Sequence, residues 1–150
     1  MDHIDQNILK LLQSDARLSH QEIGDRVNLS ASPCARRIRK LDKEGYIERY
    51  SAQINEQKMG FGFSVFVSVR LAKQIDSELG AFEARVQSCS EIVDCWLMTG
   101  KSDYLMRVAV DGLQEFESFL TRKLTKFPGV ASIESSIPLR RVKHQLSRLA

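Results

Sequence analysis

Five of the six cations in the stretch "NLSASPCARRIRKLDKEGYIERY", Arg36, Arg37, Arg39, Lys40 and Lys43, fall between Pro33 and Lys43, where the only acid is Asp42. At about 100° per residue, Cys34, Ile38 and Leu41 gather on one side of a helix. Ser32, Arg36, Arg39, Lys40 and Lys43 gather on the other, with Arg37 on the flank. An ordinary solvated helix mixes lysines with glutamates at i,i+4 spacing. Here the outer face has almost no acid before Asp42 and Glu44. Guanidinium and ammonium groups in that density suit a polyanion, through phosphate oxygens and base edges. Ser30, Ser32 and Pro33 are small, so the start of the helix can approach a groove closely.

A second stretch, "MTGKSDY", combines a glycine with an aspartate. A zwitterionic amino acid needs N–H donors for its carboxylate and an acceptor for its ammonium. Backbone N–H groups around Gly100 and the carboxylate of Asp103 are of those types. The competing reading is a plain hairpin turn, with glycine and aspartate present for backbone reasons. Catalytic residues are not expected. His3, His20 and His144 are far apart, and none sits beside a cysteine or carboxylate at ligand spacing, so no metal and no cofactor are predicted. Gly60-Phe61-Gly62 is too short to cradle a phosphate. Cys34, Cys89 and Cys95 are odd in number and form no CxxC pair, which predicts buried, reduced thiols.

The elements that must position these groups can be read from periodicity. Ile4, Ile8, Leu11 and Leu12 recur at helical spacing from Asp2 to about Ser14. "SHQE" reads as a capping box, Ser19 with Glu22, before a helix buried through Ile23 and Val27. Gly24 inside that helix costs about 1 kcal/mol against alanine, which close helix packing would explain. Asn28 tolerates the left-handed conformation that ends helices, and Ser30 is an N-cap for the basic helix, with Pro33 in its first turn. Three helices with a turn of about three residues between the last two have helix-turn-helix spacing. Gly45 ends the third, and "YIERYSAQI" alternates like a strand or hairpin, a wing in which Arg49 either touches backbone phosphate or is simply solvated.

After a polar, glycine-containing linker, "FSVFVSVRL" alternates strongly, with Phe63, Val65, Val67, Val69 and Leu71 on one face. A helix capped by Ser77 follows, with Leu79, Phe82 and Val86 buried. "IVDCWLMTG" and "DYLMRVAV" are strands, Leu113, Phe116, Leu120, Leu124 and Phe127 line a further helix up to Pro128-Gly129, and "VASIESSIPL" is the last strand. The order βαββαβ is a ferredoxin-like arrangement, so the fold class is α+β, with residues 1–60 a winged helix-turn-helix unit and linker and 61–150 the ferredoxin-like unit. Helices on one side leave the other sheet face bare; Phe66, Trp96 and Met98 are its candidates, and such a face usually meets a partner subunit.

With 150 residues, 43% hydrophobic and 27% charged, the chain has the proportions of a globular protein of one domain or two small ones. No apolar run approaches the ~20 residues of a membrane helix, and "MDHIDQNILK" lacks the order of a signal peptide, so a cytoplasmic protein without membrane partners is expected. The net charge of +3 is modest but localised: besides the basic helix, "RRVKHQLSR" contains no acid. Local basicity in an otherwise near-neutral chain indicates a localised anionic partner.

From "IDQNILKLLQSDAR" to "VASIESSIPL" the sequence resembles the Lrp/AsnC transcription regulators, also called feast/famine regulators. The motifs that carry the resemblance are "LSASPCARRIRKLDKEGYI" and "TGKSDYLMRVAV", the second similar to the family's glycine-x-x-aspartate-tyrosine signature. "SPC" and "LTKFPGV" resemble leucine-responsive members in particular. The resemblance implies a winged helix-turn-helix that binds double-stranded DNA at the nucleoid, joined to a ligand-sensing domain. It implies dimers formed through the sheets, octamers of four dimers, and small effectors, usually amino acids, held between dimers. By position, the effector site takes Met98, Thr99, Gly100, Lys101, Ser102, Asp103 and Tyr104, with Ser135 and Ser136 supplied near a neighbouring dimer's loop. Lys101 and Ser102 depart from the acidic or aromatic residues that many members carry there. The alternative is an architectural protein that wraps DNA with little sequence preference and no effector.

Overall fold

The computed structural model describes residues 1–145, 147 and 148. It divides into two compact units, Met1–Gln53 with Val142–Ala150, and Ile54–Arg141.

The first unit is built on helices α1 (His3–Ser14), α2 (His20–Val27) and α3 (Ala31–Lys43). Each start is set locally. Asp2 accepts the Asp5 backbone N–H while Asp5 accepts that of Asp2, a capping box. Ser19 and Glu22 form the same reciprocal pair on α2. Asn28 ends α2 at φ +57°, and Leu29 N–H then donates to Gly24 O at 2.9 Å, which folds the turn tightly onto the helix. That closeness explains Gly24: a Cβ there would lie 2.4 Å from Leu29 O. Ile8, Ile23 and Cys34 are fully buried, with Ile38 and Leu41 nearly so. The strand or hairpin expected over "YIERYSAQI" does not form: residues 46–54 adopt no ladder, because an alternating segment becomes a strand only when another backbone is available to bond with it.

The second unit contains β1 (Phe63–Leu71), α4 (Asp76–Gln87), β2 (Ile92–Leu97), β3 (Tyr104–Val110), α5 (Leu113–Arg122) and β4 (Val130–Ser136). The sheet order is β2-β3-β1-β4, antiparallel throughout. The predicted alternation holds in β1, where Val65, Val67, Val69 and Leu71 are buried, opposite Val108, Met106 and Tyr104 of β3. Phe82 of α4 is fully buried among them, its ring 4.6 Å from that of Tyr104 and 5.8 Å from that of Phe127. Burial of side chains of this size supplies most of the unit's stability, at about 1.5–3 kcal/mol each.

Three local expectations are corrected. Ser77 lies inside the first turn of α4, whose N-cap is Ile75. The last helix stops at Arg122, and residues 124–126 form a separate 3-10 turn after Lys123 departs to ψ −70°. Leu113, at the helix start, is 62% exposed, and the buried stripe instead includes Phe119. The open face of the sheet carries Phe66 and the exposed Trp96 and Met98, as predicted, but also Leu105 and Arg107, the latter only 8% exposed.

Candidate functional site

The basic face of α3 is presented outward. Ser30, Ser32, Arg36, Arg39, Lys40 and Lys43 are exposed and Pro33 is partly so, while Cys34, Ala35, Ile38 and Leu41 seat the opposite side. Ser30 is the N-cap residue but makes no side-chain cap hydrogen bond, so its hydroxyl and the N–H groups of Ala31 and Ser32 remain open to an outside acceptor, Pro33 having no N–H. Among the described residues no carboxylate is within ion-pair distance of Arg36, Arg39 or Lys43, and Lys40 meets Glu44 only at 3.8 Å on the surface. Arg49 is exposed.

Arg37 is different. Its Nη1 donates to Asp2 Oδ2 at 2.8 Å and to Asp5 Oδ1 at 2.7 Å, tying the start of α1 to the middle of α3. Asp5 is only 6% exposed. The hydrogen bonds to Asp5 and Asp2 raise the guanidinium's affinity for its proton, and the Asp5 N–H together with Arg37 lowers the Asp2 carboxyl. Arg37, predicted as a DNA contact, is thus held by its own unit.

The loop between β2 and β3 is a hairpin closed by Met98 N–H to Asp103 O at 2.8 Å. Gly100 turns it at φ +111°, a conformation that side chains with a Cβ rarely adopt. Met98, Thr99, Gly100 and Lys101 are exposed and Ser102 partly so. Asp103 is not available as expected. It is 7% exposed, its Oδ2 accepts Leu71 N–H at 2.7 Å and its Oδ1 accepts Gln74 Nε2 at 2.6 Å. Its own N–H donates to Val69 O. It clamps the end of β1 to the hairpin. Tyr104 is 1% exposed in the core, and its hydroxyl donates to Glu83 Oε1 at 2.8 Å. Burial, then Glu83, pushes its ionisation well above the usual phenol range.

Ser135 and Ser136 are exposed on β4, where they pair with Val67 and Phe66 on opposite faces. Strand β1 separates β4 from β3, so at ~4.8 Å per strand these serines lie on the order of 10 Å across the sheet from the hairpin strands. One protomer does not bring them to its own loop.

Sequence reasoning missed Glu83, Gln87 and Leu97. With Val86, Cys95 and the Tyr104 ring they line a cleft of about 130 Å³ at the foot of the hairpin. It offers one carboxylate, already accepting the Tyr104 hydroxyl, one amide and apolar walls. A shallower cleft of about 210 Å³ is lined by Arg85, Ser88, Cys89, Ser90, Glu91, Lys123 and Phe127. There Lys123 pairs with Glu91, and Cys89 donates to Glu91 Oε2 at 3.2 Å. Burial, reinforced by neighbouring carboxylates, pushes the Cys89 and Cys95 thiols up to about 11. Both are half-buried rather than fully buried, and Cys34, pushed up by burial, is the one enclosed thiol. Protonated thiols are poor nucleophiles. Among the described residues no cluster of metal-ligating side chains occurs, and no helix is long and apolar enough to cross a membrane.

A family model described as the Lrp/AsnC ligand binding domain matches residues 64–147, and one described as winged helix-turn-helix DNA-binding matches residues 1–48. The Bkd operon transcriptional regulator of Pseudomonas aeruginosa is 42% identical over 142 residues, 95% of this chain and 93% of that protein. The leucine-responsive regulatory protein of Escherichia coli is 35% identical over 149 residues, covering 99% and 90%. A transcriptional regulator of Neisseria meningitidis, solved as a complex with L-Met, superposes with a TM-score of 0.93 at 31% identity, covering 99% of this chain and 96% of that one. These relatives are regulators of transcription, not enzymes. The exposed basic helix, the antiparallel sheet unit and these likenesses together make the chain a member of the Lrp/AsnC family of transcriptional regulators, with a winged helix-turn-helix DNA-binding domain and a C-terminal ligand-binding domain.

Proposed function

We propose that this protein regulates transcription by sequence-specific binding of double-stranded DNA through α3, and that an amino acid changes its assembly or its DNA affinity. The observation that carries the reading is the outward face of α3, on which Arg36, Arg39, Lys40 and Lys43 project from a helix whose other side is buried. In a helix-turn-helix the N-terminal part of this helix meets base edges while flanking cations meet phosphates. Ser30, Ser32, Pro33 and Arg36 occupy the first position, and Arg39, Lys40 and Lys43 the second. Arg37 is left out because Asp2 and Asp5 hold it.

The effector site is assigned to the tip of the hairpin, Met98, Thr99, Gly100, Lys101 and Ser102, with Ser135 and Ser136 of another protomer and with Asp103 and Tyr104 as its rigid foot. Support for an amino acid comes from the L-Met complex of the Neisseria regulator and the leucine-responsive names of the relatives. The half-covered apolar face around Phe66, Leu105, Trp96 and Met98 suits a second copy in a dimer, and four dimers in an octamer would bring β4 of one dimer to the loop of another. The protein would act at nucleoid DNA in the cytoplasm.

Selection from random duplexes tests the DNA reading: a pseudo-palindromic site bound about 10³–10⁷-fold more tightly than random DNA is expected. Equal affinity for all duplexes would replace it with architectural wrapping. A thermal-shift screen of the twenty amino acids tests the effector: a true ligand at 100 times its Kd adds about 2.7 kcal/mol to stability. A flat screen would remove amino-acid sensing.

A further inference from the structure

The basic stretch at the end of the chain is not used by α3 or by the hairpin. After Glu134 no acid occurs, while Arg140, Arg141, Lys143 and Arg148 do. Sequence order alone would leave this stretch with the sheet unit that precedes it. It does not stay there. From Val142 the chain joins the helical unit. Gln13, in the last turn of α1, donates through Nε2 to Ser147 O at 2.9 Å and to Ser147 Oγ at 2.6 Å. Gln53, beyond α3, places its Nε2 3.0 Å from His144 Nε2. The returning segment is therefore attached at two points to the body that carries α3.

Its cations face outward. Lys143, His144 and Arg148 are exposed, and among the described residues no carboxylate is within ion-pair distance of Lys143 or Arg148. The anchors at Gln13 and Gln53 are neutral amides, so they hold the segment without neutralising it. Two exposed cations, without an ion-pair partner among the described residues and fixed to the body that meets DNA, extend its electrostatic footprint, and exposed point charges suit the phosphate backbone rather than base edges.

We infer that the returning segment gives the helical unit a second duplex contact, in which Lys143 and Arg148 engage backbone phosphates beside the site that α3 reads. The inference rests on the DNA-binding reading of α3 and adds to it a sequence-independent contribution. A phosphate contact releases counterions but reads no base.

The test compares the full-length protein with Lys143→Gln/Arg148→Gln and with Lys73→Gln/Lys126→Gln, a control that removes the same net charge at exposed positions of the sheet unit. Binding of the selected duplex and of a scrambled duplex is titrated from 50 to 200 mM salt. At roughly 0.9 per phosphate contact, losing two contacts lowers the slope of log K against log salt by about 1.8 per bound protomer. Over a fourfold rise in salt, the tail variant then loses about 12-fold less affinity per protomer than the parent. Its ratio of specific to scrambled binding should stay unchanged, and the control should keep the parent slope. An unchanged slope in the tail variant, or an equal fall in the control, overturns the inference while leaving α3 as the DNA-binding helix. A changed site preference overturns the phosphate assignment. Absence of salt-dependent binding in the parent would fail the DNA reading itself, a different result. Circular dichroism of both variants confirms that the exposed substitutions leave the fold intact.

Discussion

Asp103 separates a structural role from a ligand-binding one, and substituting it decides between them. In the structure its two oxygens each have one donor: Leu71 N–H at 2.7 Å and Gln74 Nε2 at 2.6 Å. Asp103→Ala removes both acceptors. Gln74 is exposed and turns to water, so its loss is small. Leu71 is 3% exposed, and its N–H would be left without a partner in the core, a penalty of about 1–3 kcal/mol. The second, charge-assisted bond adds a fraction of the usual ~1.5–3 kcal/mol, because water replaces it. The alanine variant should therefore lose about 2–4 kcal/mol of unfolding free energy. Asp103→Asn is milder. Its carbonyl oxygen can keep the Leu71 N–H, and its amide can face the Gln74 oxygen after that side chain flips. Only charge assistance is lost, for about 1 kcal/mol. Urea titration followed by near-ultraviolet circular dichroism gives both values, and thermal shift with the best amino acid from the screen gives the ligand response. Graded stability loss with the response retained in Asp103→Asn is expected. Unchanged midpoints in both variants, with the response abolished, would refute the clamp and return Asp103 to the ligand.

Other substitutions test other parts. Arg36→Ala should weaken binding to the selected duplex by about 1–3 kcal/mol with stability unchanged, whereas Arg37→Met should lower the unfolding midpoint by freeing Asp2 and Asp5 while base preference is kept; the two are compared by duplex titration and urea unfolding. Gly24→Ala gains up to ~1 kcal/mol of helix propensity but drives a Cβ to 2.4 Å from Leu29 O, so denaturation should show a net loss of about 1–3 kcal/mol. Against the raising effect of its burial, the Lys123 and Cys89 hydrogen bonds hold Glu91 down to about 2 from 4.5. A carboxyl lowered by folding stabilises fully above its unfolded value and loses that contribution as pH falls towards 2. The difference in thermal midpoint between the parent and Glu91→Gln should accordingly be largest at pH 6 and shrink by pH 3; a constant difference would exclude the pair as its source.

What could be read from the residues alone was what is decided locally. The Ser19 and Glu22 capping box, the left-handed Asn28 and the alternation of β1 each depend on neighbours within a few positions, so spacing shows them. The outward cations of α3 followed from its wheel, because an apolar stripe has one way to face a core. Contacts between distant residues were hidden. The wheel put Arg37 on the flank of the basic face but could not show what holds it; Asp2 and Asp5, over thirty positions away, do. Asp103 had the right type for an ammonium partner, but the N–H it accepts comes from the end of a strand 32 residues earlier. The division of the last helix at Lys123 was masked because the 3-10 turn keeps Leu124 and Phe127 buried, preserving the apolar rhythm across a break in the helix.

Arg107 carried a usable signal in "YLMRVAV", a lone cation in an apolar strand. Such a charge is stable only when it is paired and hydrogen-bonded. Its partners reach in from the surface: Nη1 and Nη2 grip the two Glu56 oxygens at 2.9 Å each, and Nε donates to Asp94 Oδ2 at 3.1 Å, while both carboxylates keep an exposed side. Glu56 lies in the polar stretch before β1, so the bidentate pair fastens that stretch onto the open face of the sheet. The face is thereby divided. One part is closed by a satisfied ion cluster, and the other, around Phe66, Trp96 and Met98, stays apolar and accessible. A second copy docking there must avoid stranding Arg107 without its carboxylates, which limits the orientations it can take. The same geometry makes Glu56 the tie between cluster and linker: releasing it would leave the guanidinium with Asp94 as its one remaining ion-pair partner among the described residues. The linker is thus held to the sheet by a bidentate pair of fixed geometry, a directional constraint that apolar contact alone would not impose.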